Sequence, residues 1–510
     1  MAALHCSNPA LLGIGVMAAM VMQVLDTTIA NVALPHMEAA LGATSDTITW
    51  VLTSYIVASA IAIPITGWLS DRVGSRNLFL FSVGGFVVSS ALCGAAQNLE
   101  QIVLFRVLQG VTSAFLGPLS QTVLLDVNPP GKQAKAMAVW GMGVMIGPIL
   151  GPLIGGWLTE NFEWRWCFYV NLPVGVVTFA ILWWLLPSRP IRKRAFDMTG
   201  FILFSIGISA LQLMLDRGQT KDWFQSGEIW IEALLAFVTL WMFVVHLATA
   251  KMPMFDRALW KNRNLVTGLF FFPVIGIIMM ATMALLPPLM QNLYGYSVMQ
   301  TGELLMSRGF GVLVTMAISG QLIQRNFDAR WVVGLGLMIV TYSLWQMTTW
   351  TFAMGSSAFV ITGFIQGFGM GLVFMPLNNM AFQTLAPHFR TEGSSLLNLA
   401  RNIGASVGIS IVTTILAREL QINHADLGAH LTTAKLSTFD PYLLQMFPTA
   451  NEAVMAMVNG MVTQQAAMIG YLDVFRLMMV VTALSIPLVL LLKRNKNAKV
   501  EKPDPGAAGH

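Results

Sequence analysis

Long runs of apolar residues, each near the length of a bilayer crossing, alternate with short polar stretches along almost the whole chain. Crossing a hydrocarbon core of roughly 30 Å takes about 20 helical residues. Lipid offers backbone N–H and C=O groups no partner, so every crossing segment must close its own hydrogen bonds, as a helix or within a closed barrel. These runs are continuously apolar rather than alternating, which selects helices. The pattern predicts fourteen spans, at about 11–34, 49–68, 78–96, 101–124, 137–158, 166–186, 198–216, 229–250, 264–287, 300–323, 331–351, 355–377, 393–417 and 471–492. The first run is too long for a signal peptide's apolar core and lacks a basic leader, so it reads as a retained span.

An even number of spans puts both termini on one side, and lysine and arginine decide which. Arg72, Arg76, Lys132, Lys135, Arg192, Lys193, Arg194, Lys251, Arg257, Lys261 and the tail from Lys493 fall on the terminus side. Only Arg165, Arg217, Lys221, Arg418 and Lys435 fall opposite. The expected orientation has both termini in the cytoplasm of a bacterial cell, the chain crossing the inner membrane many times. Composition agrees: 55% of the 510 residues are hydrophobic and 10% charged, too little charge to clothe a soluble body of this size. The formal charge of +5 is explained by those loops and is no sign of nucleic-acid binding. Cys6, Cys93 and Cys167 have no metal-site spacing, and no disulfide is expected. The seven histidines are scattered, and no glycine loop ending in GK[ST] occurs. The composition therefore argues against an enzyme and against ATP as direct fuel, and no cofactor is expected. The 33 methionines read as adaptable packing, or as the lining of a promiscuous cavity.

The expected organisation is a tail at 1–10, a six-helix bundle at 11–187, two inserted helices with their linkers at 188–263, a second six-helix bundle at 264–492 and a tail at 493–510. Segment 418–470 lies on the outer face, with helix-like stretches around 418–431 and 450–468 divided by Pro441 and Pro448. It reads equally as a connector or as a docking surface for an external partner. Weak internal repeats support two halves: Gly67 to Arg72 is echoed by Gly320 to Arg325, Gln109-Gly110 by Gln366-Gly367, and Leu34-Pro35 by Leu286-Pro287. Such halves create a binding site between them near the membrane midplane.

Asp26 is the one acid deep within the first six spans. At 1.5 Å per residue it lies roughly 22 Å into the core, and Arg106, entering from the outer side, lies roughly 8 Å below the outer edge. The two depths agree. Burial favours a neutral carboxyl group and a nearby arginine an ionised one, so a separation that changes with conformation loads and releases a proton. The alternative is a structural polar pair, or an Asp26 that bonds Thr27 and Thr28. Intramembrane ionisable groups are costly and point to function. In the fifth span Gly147, Gly151 and Gly155, with Pro148, Pro152 and Gly156, form a flat ridge for close helix packing. Gln23, Asn31, Gln109, Arg308, Arg401 and Asn402 are candidates to line the cavity. Several arginines and few acids there suit neutral or anionic amphiphiles better than multivalent cations.

Four stretches together resemble a known family. They are Leu25-Asp26 through Asn31 to Pro35, Gly67 through Asp71-Arg72 and Gly74 to Arg76, Arg106 through Gln109-Gly110, and Gly151-Pro152 through Gly155-Gly156. In order, and on the right sides of the membrane, they are similar to the signatures of the major facilitator superfamily, in particular its fourteen-span drug–proton antiporters of the EmrB/QacA type. Two departures are visible: Gln324 stands where the first half has Asp71, and Met142 takes the place of the leading glycine of the fifth-span antiporter motif. The resemblance implies an all-α polytopic membrane protein with the major facilitator fold, two six-helix bundles plus two central inserted helices. It implies proton coupling at Asp26 and Arg106, and a latch at Gly67, Asp71, Arg72, Gly74 and Arg76. It also implies export of amphipathic drugs or toxic small molecules driven by the proton-motive force, with a periplasmic adaptor and an outer-membrane channel as partners. Export of one specific metabolite, fatty acid or siderophore, and a non-transporting scaffold or sensor, are the competing readings.

Overall fold

The computed structural model describes residues 8–187, 191, 195–324, 327–429 and 451–492, and among these all regular structure is helical. Thirteen described helices are long and apolar enough to cross a bilayer. Ala329–Met347 is the fourteenth; its 19 residues span about 28 Å, with Arg330 and Gln346 diluting the ends of an apolar run. The helices are α1 Pro9–Leu41, α2 Trp50–Val73, α3 Ser75–Ala95, α4 Leu99–Val127, α5 Pro130–Asn161, α6 Trp166–Leu185 and α7 Met198–Arg217. They continue as α8 Gly227–Thr249, α9 Arg263–Pro288, α10 Val298–Gln324, α11 Ala329–Met347, α12 Ser356–Gln383, α13 Arg390–Ala429 and α14 Asn451–Ser485.

Prolines mark the irregularities. Pro64 tightens α2 into a 3-10 turn at Ile63–Ile65, since its ring removes a backbone donor. Pro287 and Pro288 precede a π turn at Leu289–Leu293. Pro148 and Pro152 are carried inside α5 without a break. Gly74 links α2 to α3 with φ +92°, a backbone state that side chains strain to adopt.

In the first bundle α1 packs on α5 and α6, α2 on α4, and α3 on α4 and α6. In the second, α9 packs on α13, α10 on α12, α11 on α12 and α14, and α13 on α14. One crossing recurs in both. A Cβ at Gly110 would sit 2.5 Å from the Tyr55 carbonyl oxygen, and one at Gly367 would sit 1.9 Å from that of Arg308. The Gln-Gly repeats therefore occupy matching places. Between bundles, α5 runs along α10, and α13 meets α2 and α4. Of the inserted pair, α7 lies beside α2 and α13 with α8 packed on it: Asp216 accepts from Thr53, and Ser410 donates to the Leu215 carbonyl at 2.8 Å.

The external segment differs from the sequence expectation. The span ending near 417 and the helical stretch after it are one 40-residue helix, α13, and α14 is likewise one helix of 35 residues. At about 60 and 52 Å both outreach the bilayer. No proline interrupts either, and outside lipid their polar residues meet water, so nothing stops the helix at the membrane surface. His424 Nε2 and Asn459 Oδ1, 2.9 Å apart, tie the extensions together. Pro441, Pro448, Cys6 and the basic tail fall outside the described residues.

Candidate functional site

Asp26, Arg106, Gln109 and Asn171 form one buried cluster from α1, α4 and α6. Arg106 Nη1 donates to Asp26 Oδ2 at 2.7 Å and to Gln109 Oε1 at 2.8 Å, and its Nε donates to the Val51 carbonyl at 2.9 Å. Asp26 Oδ1 accepts from Gln109 Nε2 at 2.9 Å and from Asn171 Nδ2 at 2.8 Å. The guanidinium carbon lies 4.3 Å from the centre of the Tyr55 ring, which adds cation–π attraction. Asn171 also reaches Ser90 Oγ at 3.0 Å. All of these side chains are buried. A charge-assisted bond in such surroundings is strong, and stripping either partner is costly.

Thr27 and Thr28 bond to carbonyls of their own helix, at Val24 and Leu25, and not to Asp26. Gln109 corrects the cavity expectation: fully buried, it orients both members of the ion pair instead of lining a cavity. Asn171 was missed by sequence reasoning, although a lone asparagine in the apolar sixth span is a visible signal.

At the terminus-side end of α2, a Cβ at Gly67 would come 2.5 Å from Glu392 Cγ on α13, so this glycine lets the bundles touch. Arg72 lies over the Trp68 ring at 5.4 Å. Arg76 donates to the Trp183 carbonyl near the end of α6 at 2.6 Å. Arg76 thus caps a helix end within its own bundle. Asp71 is half-buried beside them.

The glycines of α5 face two ways. Added Cβ atoms at Gly147 and Gly151 would strike Val24 and Thr28 of α1, the latter at 1.9 Å; Gly155 meets Ile29 and Val32. Gly156 and Gly141 instead meet Val298 and Met316 of α10 across the bundle interface. Pro148 is buried and Pro152 half-buried within the same helix.

Gln23 and Asn31 share one face of α1 with Thr27, at four-residue spacing; Gln23 and Thr27 are half-buried and Asn31 is exposed. On α10, exposed Phe310, Val314 and Ile318 mark the lipid side, Gly311 packs on α12, and Gly302 and Gly320 pack on α5. Arg308 takes the remaining, inward side, half-buried, as are Arg401 and Asn402 on α13. No ion pair forms at Arg308 or Arg401 among the described residues.

A second polar network, not foreseen, joins the bundles on the terminus side. Gln121 of α4 donates to Asn378 Oδ1 of α12 at 3.2 Å, and its Oε1 accepts from Ser394 and Asn398 of α13. One turn further, Arg390 Nη1 pairs with Asp126 Oδ1 at 3.2 Å. These contacts tie α4 to α12 and α13 there. Among the described residues no group of His, Cys, Asp or Glu is arranged to hold a metal ion, and Cys93 and Cys167 are free, buried thiols.

Two packed bundles of membrane-length helices, with a buried ion pair in one of them, fit a membrane transporter. The chain belongs to the Major Facilitator Superfamily, whose pattern matches residues 16–409. It is 34% identical to the fatty acid resistance protein FarB of Neisseria gonorrhoeae, over 93% of this chain and 94% of that protein. It is 36% identical to the multidrug export protein EmrB of Escherichia coli, over 88% and 85% respectively. Among solved structures, the human organic anion transporter MFSD10 superposes with a TM-score of 0.58 at 13% identity, over 93% of this chain and 99% of that one. An inward-facing bacterial homolog of the human lysosomal transporter Spinster gives 0.55 at 17%, over 95% and 97%. Both share the fold.

Proposed function

We propose that this chain exports amphipathic molecules with an acidic head across the bacterial inner membrane in exchange for protons. The observation that carries the reading is the sealed Asp26–Arg106 pair at 2.7 Å. A carboxylate held this way in an apolar bundle exchanges a proton only when the bundle rearranges, which couples protonation to the access state. One proton entering supplies about 2.3 kcal/mol per 100 mV, enough to hold a substrate gradient of roughly tens-fold. The bias of lysine and arginine supports cytoplasmic termini, so the closed side is cytoplasmic and this conformation faces outward. The rise from half-buried Gln23 to exposed Asn31 along α1 fits a vestibule widening outward.

Arg308 and Arg401 support the acidic head. A cation held between bundles without a carboxylate partner is costly, and an anionic cargo supplies the missing charge. The names of the relatives, one for resistance to fatty acids and one for multidrug export, support the same direction of transport. The extensions of α13 and α14 offer a periplasmic adaptor a rigid surface, as the inner-membrane member of a tripartite pump with an outer-membrane channel. The test is transport in proteoliposomes. A pH gradient should drive dodecanoate out against its own gradient, and dodecyltrimethylammonium much less. Preferential movement of the quaternary amine, or export indifferent to the pH gradient, overturns the reading.

A further inference from the structure

Arg401 stands on α13 one helical turn from Asn398 of the gate. Its Nη2 donates to Asn398 Oδ1 at 3.1 Å. Asn398 is buried and donates onward to Gln121 Oε1 of the other bundle at 3.3 Å, and to the Ser394 carbonyl at 2.9 Å. The arginine is thus one end of a hydrogen-bonded chain whose other end clamps α4 to α12 and α13. Nothing comparable holds Arg308, for which no hydrogen bond is seen among the described residues.

Building on the acidic-cargo reading, we infer that Arg401 is an affinity switch. Its guanidinium is shared between the closed gate and the cargo's carboxylate, so closing the gate weakens the grip on cargo. With the gate shut, Gln121 and Ser394 fix the Asn398 amide, and its oxygen occupies one donor of the guanidinium. When the bundles part on that side, Gln121 leaves with α4 and the Asn398 amide is free to turn. The guanidinium then presents its full fork to a carboxylate as two parallel bonds. Linkage makes the effect reciprocal: the factor that gate closure removes from cargo affinity is the factor that bound cargo removes from gate closure. Tight binding toward the closed side's compartment and weak binding toward the other is the sign an exporter needs.

The experiment locks the gate by bridging Asp126→Cys and Arg390→Cys with a short bis-methanethiosulfonate, whose mixed disulfides dithiothreitol cleaves; the bridged form is called oxidised and the cleaved form reduced. It measures radiolabelled dodecanoate binding to the protein in nanodiscs, oxidised and reduced, with empty nanodiscs subtracted. The oxidised protein should bind about tenfold more weakly, the scale of one charge-assisted hydrogen bond. Asn398→Ala should recover most of that tenfold in the oxidised form. Asn398→Ser, too short to reach Arg401, should do the same and serves if the alanine variant folds poorly. Variants that keep the full oxidised-to-reduced difference overturn the switch. Equal binding by both forms of the unsubstituted lock also overturns it, while leaving the acidic cargo standing. Binding by neither form removes the acidic cargo itself.

Discussion

Replacing Asp26 by asparagine should destabilise the first bundle sharply, and removing Arg106 as well should restore much of the loss. In Asp26→Asn the guanidinium keeps the Val51 carbonyl, Gln109 Oε1 and the Tyr55 face, but no charge opposes it. An amide nitrogen also replaces one carboxylate oxygen, at a position where Arg106 donates. Breaking a buried pair from one side costs about 3–5 kcal/mol, whereas replacing both members by neutral groups is often close to neutral. The double variant Asp26→Asn with Arg106→Met should therefore unfold nearer to the wild type than to Asp26→Asn, with a coupling of about 3 kcal/mol. Thermal unfolding in nanodiscs, run beside proton-driven transport in proteoliposomes, separates stability from function. The double variant should be stable and inert. An Asp26→Asn protein as stable as the wild type would show that the pair is not desolvated, and proton-driven transport by the double variant would refute the carboxylate's role.

Gly67→Val should hold the terminus-side gate ajar, because its Cβ would meet Glu392 Cγ at 2.5 Å; a cysteine at Ser394 should then react with maleimide faster than in the parent. Gly151→Val should abolish transport with the protein still inserted, since a Cβ there lies 1.9 Å from Thr28 Oγ1 and pushes α5 off α1; unimpaired export would deny that contact its importance. Exchanging Asp126 and Arg390 should restore the gate that either single alanine weakens, each single change costing about 3 kcal/mol because both side chains are largely buried; gate-cysteine accessibility reads it out.

What was legible in the chain follows from which forces are local. Span length answers to lipid thickness, so helices of membrane length appear at each predicted run, including α7 and α8. Depth is additive along a helix, so counting residues sufficed to bring Asp26 level with Arg106. Contacts made only when bundles meet left no periodic mark: Gln121, Asn378 and Asn398 are polar residues whose partners across the interface lie hundreds of positions away. Gln109 was assigned to the cavity because a polar residue in a span looks the same whether it faces a ligand or an ion pair. The external helical stretches were read as separate from the spans they continue for a related reason, since span-length reasoning says nothing of a helix continuing into water.

The central claim, that Asp26 takes up and gives up the transported proton, is met most directly by the protons themselves. Dodecanoate added to purified protein in weakly buffered solution should release protons, read by a pH-sensitive dye, in the wild type and not in Asp26→Asn. Equal release from both proteins would contradict it.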